Sequence, residues 1–138
     1  MAGQWCIEGL AIAGVALFFD NATPEDKELI LFSNDEAITD ATVDADLTEI
    51  TTVGGEKVTL TKANWAAVNA AVEPLVMRYD GATGVVFNIT GALTVYGWAV
   101  KGVTSDKIYA AENTGVKTFA DGDTYTCQPI DISFDIPE

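Results

Sequence analysis

The segment PIDISFDIP, residues 129–137, decides the fold class because apolar and polar side chains alternate along it from Ile130 to Ile136. Successive residues of a β-strand point to opposite faces of the sheet, so its apolar side chains would share one face and its polar ones the other. Each apolar side chain that is buried contributes about 1.5–3 kcal/mol of transfer free energy. We therefore expect this strand to be integral to the core. Its apolar residues are Ile130, Ile132, Phe134 and Ile136.

Segments upstream of this strand also have the β-branched and aromatic composition, or the period of two, that is typical of strands. Gly54-Gly55 looks like a tight turn, and Asp121-Gly122 is the strongest hairpin signal in the chain. In the segment 63–79, the alanine-rich residues before Pro74 fit a helical turn, and the residues after Pro74 fit a strand. The other predicted strands lie in KELILFS (27–33), ADLTEITTV (45–53), EKVTLTK (56–62), GVVFNIT (84–90), LTVYGWAVKG (93–102), KIYAAEN (107–113), GVKTFA (115–120) and TYTCQ (124–128).

The N-terminal segment QWCIEGLAIAGVALFF (4–19) is apolar on nearly every side, which predicts a helix that a neighbouring element covers. Its apolar run is shorter than the stretch of about 20 residues that spans a bilayer. A signal peptide would require a basic residue before the apolar run, and the first basic residue of this chain is Lys27. The sequence predicts a mainly β chain, an antiparallel β-sandwich or jelly roll, forming one domain over 1–138. Residues 1–23 would be the N-terminal helix and turn, and 27–138 the sandwich.

The charge of the chain restricts its partners. With 21 acidic and 7 basic residues the net charge is −14, which repels nucleic-acid phosphates and anionic membranes, so we expect neither as a partner. A basic protein surface remains compatible. The chain has no histidine, which removes the commonest general base and metal ligand. We expect no enzyme activity, no catalytic residues and no cofactor, and a two-carboxylate hydrolase is the enzymatic alternative.

The acidic segment SNDEAITDATVD (33–44) resembles a calcium loop only superficially. An EF-hand loop that starts at Asp40 needs glycine at its sixth position and glutamate at its twelfth, where this chain has Ala45 and Thr51. We therefore predict no metal site, and weak calcium binding by carboxylates from several loops stays an alternative. We interpret the segment as a turn-rich surface connection whose Asn and Asp side chains bond to their own backbone.

The two cysteines, Cys6 and Cys127, lie near opposite ends of the chain and match neither a CxxC motif nor a dense disulfide framework. We interpret both as reduced thiols in the core. A single disulfide that joins the two ends of the chain is the alternative.

Large apolar side chains are candidates for a contact with another subunit or protein. In TVYGWAV (94–100), Tyr96 and Trp98 are two positions apart and would lie on the same face of their strand. Core packing, or a platform on which sugars stack, is the alternative for the aromatic residues. The predicted interface residues are Trp5, Leu10, Trp65, Tyr96 and Trp98.

Six motifs follow one another in an order that is more specific than any one of them. They are LILFSND (29–35), ITDATVDADLTEI (38–50), VTLTKANW (58–65), LTVYGWAVKG (93–102), KIYAAEN (107–113) and FADGDTYTCQPIDISF (119–134). In this order they resemble a family of small virion-associated proteins encoded by tailed bacteriophages. The chain differs from the family pattern at VGGEKV (53–58), where the family usually places GYA before its third strand.

The resemblance implies a structural protein of the virion, made in the host cytoplasm. It favours a capsid decoration (cement) protein that stabilises the head lattice and whose partner is the major capsid protein or another virion protein. The resemblance also favours a homo-oligomer, a trimer in particular. The alternatives are a tail or fibre adaptor of the same virion and a receptor- or glycan-binding module.

Overall fold

The structure is a computed structural model that describes residues 26–39, 41–61, 64–67, 75–79, 85–127 and 130–134. These residues are mainly β, and their one helix is a single 3-10 turn, Asp44–Asp46. The strands are β1 (Lys27–Phe32), β2 (Val58–Leu60), β3 (Trp65–Ala67), β4 (Leu75–Tyr79), β5 (Val85–Asn88), β6 (Leu93–Gly102), β7 (Ile108–Phe119), β8 (Thr124–Cys127) and β9 (Ile130–Phe134). The predicted mainly β chain is confirmed.

The strands form three sheets in which every pair is antiparallel. The largest has the order β2-β1-β6-β7, the second has the order β3-β4-β9, and β5 pairs with β8 in the third. The strand after Pro74 is confirmed as β4, which pairs with β9 in the register Leu75 to Phe134. The alternating segment therefore forms strand β9 of a sheet, and Ile130, the first residue of that strand, is buried.

Strand β1 is buried on both faces, since each of its six residues is buried. Leu29 and Leu31 belong to a cluster that we call the first core, whereas Ile30 and Phe32 belong to a second core on the other face. The first core joins all three sheets and consists of Leu29, Leu31, Ile50, Leu60, Trp65, Val85, Phe87, Ile89, Val95, Val100, Tyr125, Cys127 and Ile130. Burial on both faces explains why KELILF shows no clean alternation.

The second core is smaller and is closed by the acidic segment. Leu47 is one of its four buried residues, with Ile30, Phe32 and Ala99, and Ile38 packs against it. Residues 33–39 and 41–49 therefore lie across one face of the largest sheet, and we call them the acidic cover. The interpretation of residues 33–44 as a surface connection misses Ile38, which packs against this core, and Asn34, whose side chain bonds to the backbone of Asp46 and Thr48 and not to its own turn.

The predicted strand 45–53 is wrong, because side chains of the acidic cover bind the backbone groups that a ladder would use. Asn34 donates from Nδ2 to the carbonyl oxygen of Asp46 at 2.8 Å and accepts from the Thr48 amide at 2.7 Å. The Val43 amide donates to the Asp46 carboxylate at 3.0 Å. What remains of strand pairing is one isolated bridge between Phe32 and Glu49.

The Asp121-Gly122 turn forms as predicted, but the hairpin prediction is wrong. Strand β7 before the turn pairs with β6, whereas β8 after it pairs with β5, so the turn connects two sheets. The Gly122 amide donates to the Ile89 carbonyl at 2.9 Å, and the Ile89 amide donates to the Asp123 carbonyl at 2.9 Å. These bonds satisfy the turn without a ladder between its flanking strands.

Several predictions fall outside the described residues. They include the N-terminal helix, with Trp5, Cys6 and Leu10, and the end of the alternating segment at Asp135 and Ile136. Among the described residues, no helix has the length and apolar character needed to cross a lipid bilayer.

Candidate functional site

The described interface candidates are distributed over both sides of the largest sheet. Trp65 is 7% exposed and lies in the first core, where its ring packs edge-on against Tyr79 with centroids 5.3 Å apart. Trp65 therefore offers little surface to another protein. Tyr96 and Trp98 are half-buried and keep part of each side chain accessible.

The prediction that Tyr96 and Trp98 share a face is wrong. Trp98 packs against the first core and Tyr96 against the second, on the opposite side of the sheet. The change of face coincides with a break in the ladder, because Val95 pairs with Lys117 and Gly97 with Asn113, which leaves three residues of β7 opposite Tyr96. A bulge locally breaks the alternation of side chains along a ladder.

The acidic cover is attached to the sheet through one buried cation, Lys101, which sequence reasoning missed. Its side chain is 6% exposed, and its Nζ lies within ion-pair distance of four carboxylates. These belong to Glu49 at 3.3 Å, Asp44 at 3.2 Å, Asp106 at 3.6 Å and Glu28 at 3.7 Å. We call this group the Lys101 cluster. A lone lysine among the apolar residues of LTVYGWAVKG was the signal that could have revealed it, since a buried charge requires partners.

The four carboxylates of the Lys101 cluster come from three parts of the fold. Glu28 lies directly across the ladder from Lys101 on β1, whereas Asp44 and Glu49 belong to the acidic cover. Asp106 belongs to the turn between β6 and β7. The ammonium therefore joins the sheet, the cover and the turn at one point.

Electrostatics in the Lys101 cluster favour the charged lysine. Burial alone would lower the pKa of Lys101, but hydrogen bonds and charge attraction from Asp44 and Glu49 outweigh it and raise the pKa above its usual range. The ammonium thus occupies the centre that a cation would need. Among the described residues, including those of the Lys101 cluster, no group of three or more acidic, cysteine or histidine side chains could hold a metal ion.

Cys127 is a free, buried thiol in the first core, which agrees with its interpretation as a reduced core cysteine. Burial is the main cause that raises the pKa of Cys127 to about 11, and burial likewise raises the pKa of the nearby Tyr125 to about 12. Both groups are therefore neutral near pH 7.

These pKa shifts predict the pH dependence of stability. The unfolded chain loses protons from a thiol near pH 8.5 and a phenol near pH 10, roughly, while folded Cys127 and Tyr125 retain theirs. The unfolded state then binds fewer protons, so the free energy of unfolding falls as pH rises above about 9. Because the pKa of Lys101 is raised in the folded state, Lys101 adds to the free energy of unfolding below about pH 10.4, and this contribution is lost at higher pH.

Between pH 6 and 8 we expect a flat profile, because the chain has no histidine. Urea unfolding at one-unit pH steps measures both regions. A steep change in the free energy of unfolding between pH 6 and 8, or constant stability from pH 8 to 11, would contradict this prediction.

Comparison with known proteins gave no match, whether to a family model, to a characterised protein or to a solved structure.

Proposed function

We propose that the chain is a structural protein of a tailed-bacteriophage virion, a capsid decoration protein that attaches to the head lattice and has no enzyme activity. Its partner is the major capsid protein or another virion protein, and it assembles as a homo-oligomer, a trimer in particular. The proposed fold is an antiparallel β-sandwich with a helix over residues 1–23. The order of motifs in the sequence supports this assignment, and the acidic cover supplies a surface for attachment.

The Lys101 cluster is the observation that carries the proposal. Acidic surface loops are ordinarily solvated and mobile, and ordering them on binding costs free energy. Here the cover is fixed before any partner arrives, by the ion pairs of its Asp44 and Glu49 with Lys101 and by the burial of Leu47. A preorganised acidic surface is suited to a basic surface on a larger assembly.

The acidic cover also carries exposed groups that the Lys101 cluster does not use. Asp35 and Asp46 are exposed, and Val43, whose amide donates to the Asp46 carboxylate, exposes 54% of its surface. Carboxylates beside an exposed apolar side chain provide both charge attraction and a small dry contact. We propose that this surface of the cover faces the head lattice.

A rebinding assay tests the attachment. The double variant Asp35→Lys/Asp46→Lys reverses two exposed charges on the cover, and we expect its binding to particles that lack the protein to weaken by roughly tenfold or more. The matched control is Glu56→Lys/Asp121→Lys, which makes the same change in net charge at two exposed sites outside the cover.

Cosedimentation of each purified variant with the particles gives the bound fraction at several salt concentrations. Binding of the wild-type protein should weaken as salt rises, because exposed charges are screened. Equal binding by the two double variants would contradict attachment through the cover. Circular dichroism of both variants verifies that they remain folded.

A further inference from the structure

A cavity of about 250 Å³ opens between β7, on the largest sheet, and β8, on the sheet it forms with β5. It lies on the first-core side of the largest sheet, the side opposite the acidic cover. The residues that line it and matter here are Trp98, Glu112, Thr114, Lys117, Tyr125 and Cys127. It therefore combines one half-buried aromatic ring with several polar side chains.

The bulge in β7 shapes this cavity. Thr114 belongs to the three residues that stand opposite Tyr96, and Gly115 next to it has a φ of 82°. Thr114 donates from Oγ1 to the Tyr96 carbonyl at 3.3 Å, and it lines the cavity together with Tyr125. Bulges are frequent beside binding sites because they redirect a side chain.

The charges of the cavity favour a neutral ligand. Glu112 supplies one carboxylate and Lys117 one ammonium, whose Nζ lies 5.7 Å from the centre of the Tyr125 ring. Tyr125 and Cys127 stay neutral near pH 7, so the lining has no net charge. A chain with a net charge of −14 repels an anion, whereas a neutral ligand meets donors and acceptors without that penalty.

The size and lining of the cavity favour one sugar ring. Pockets that bind drug-sized ligands have volumes of about 300–1,000 Å³, so this smaller cavity is suited to a single ring with its hydroxyl groups. Glu112 lies across the ladder from Trp98, which places an acceptor beside the aromatic side chain. We propose that this cavity binds a neutral pyranose unit of a glycan, with its apolar face on Trp98 and its hydroxyl groups on Glu112 and Lys117.

NMR titration of the full-length protein tests this proposal. The probes are the methyl glycosides of glucose, galactose, mannose and N-acetylglucosamine. With at least one of them we expect saturable shifts of the Trp98 indole signal and of the Thr114 and Lys117 amides, with a dissociation constant of about millimolar.

Two variants at exposed cavity positions, Glu112→Gln and Lys117→Ala, keep the test independent of folding, and each should weaken binding several-fold. Trp98→Ala, at a half-buried position packed against the first core, should weaken binding by roughly tenfold or more. Lys107→Ala, at an exposed lysine outside this cavity, should bind as the wild type does.

The proposal is overturned if none of the four glycosides gives saturable shifts, or if the shifts persist unchanged in Glu112→Gln and Lys117→Ala. Both outcomes are independent of attachment to a particle, because the assay uses the protein alone. Failure of sugar binding therefore leaves the proposed docking function intact, and failure of docking leaves the sugar site intact.

Discussion

Replacement of Lys101 by methionine is expected to lower the free energy of unfolding by about 3–5 kcal/mol, the cost typical of removing one partner of a buried ion pair. Methionine retains an unbranched apolar stem but removes the ammonium, so Glu28, which is 3% exposed, loses a buried countercharge. Lys57 still contacts Glu28 at 3.4 Å, but its side chain is 56% exposed and solvent screens it. The midpoint of thermal unfolding should shift downward by about 10–17 °C.

Two further variants separate the Lys101 cluster from a general loss of positive charge. Lys107→Met removes a charge from an exposed lysine and should leave the free energy of unfolding within about 0.5 kcal/mol of wild type. In Lys101→Met/Glu28→Gln the buried carboxylate is also removed, and part of the stability should return. Equal stability of Lys101→Met and Lys107→Met in urea unfolding would contradict the assigned role of Lys101.

Gly97→Ala is expected to prevent folding or to lower the free energy of unfolding by about 3 kcal/mol or more, the upper range for overpacking of a core. A Cβ at Gly97 would collide with the carbonyl oxygen of Glu112 on β7 and would lie 2.6 Å from Cζ of Phe32. Glu112 contributes backbone there and Phe32 is fully buried, so neither neighbour can move away easily.

Gly115→Ala is the matched control on the neighbouring strand. A Cβ at Gly115 would meet no atom within 4 Å, so only its φ of 82° opposes the substitution. A left-handed conformation costs roughly 1–2 kcal/mol for a residue other than glycine. Urea unfolding of both variants measures the difference, and a Gly97→Ala protein as stable as Gly115→Ala would contradict the close packing of Phe32 beneath β6.

The sequence was informative where a local pattern is sufficient. The strand after Pro74, the turn at Asp121-Gly122 and the mainly β class all follow from residue type and period. Sequence could not reveal that β7 and β8 pair with different partners, because a turn signal specifies the local chain direction and not the sheet that each strand joins. The opposite faces of Tyr96 and Trp98 occur where the ladder between β6 and β7 is interrupted, and the sequence of β6 does not show where that interruption lies.

The acidic cover shows the same limit for the candidate site. Its acidic residues indicate a solvated connection, whereas Leu47 and Ile38 close a second core that exists only because β1 and β6 lie side by side. Lys101 is separated in sequence from Glu28, Asp44 and Glu49, so no motif connects them. Strand register places Lys101 opposite Glu28, and the path of the acidic cover over the sheet brings Asp44 and Glu49 to the same ammonium.

A cryo-electron microscopy map of the particle whose genome encodes this chain tests the proposed docking function most directly. The proposal predicts density for a 14.6 kDa domain repeated at symmetry-related positions on the outside of the head, with the acidic cover against the lattice. Particles that contain no copy of the chain, or copies attached through the opposite side of the largest sheet, would contradict it.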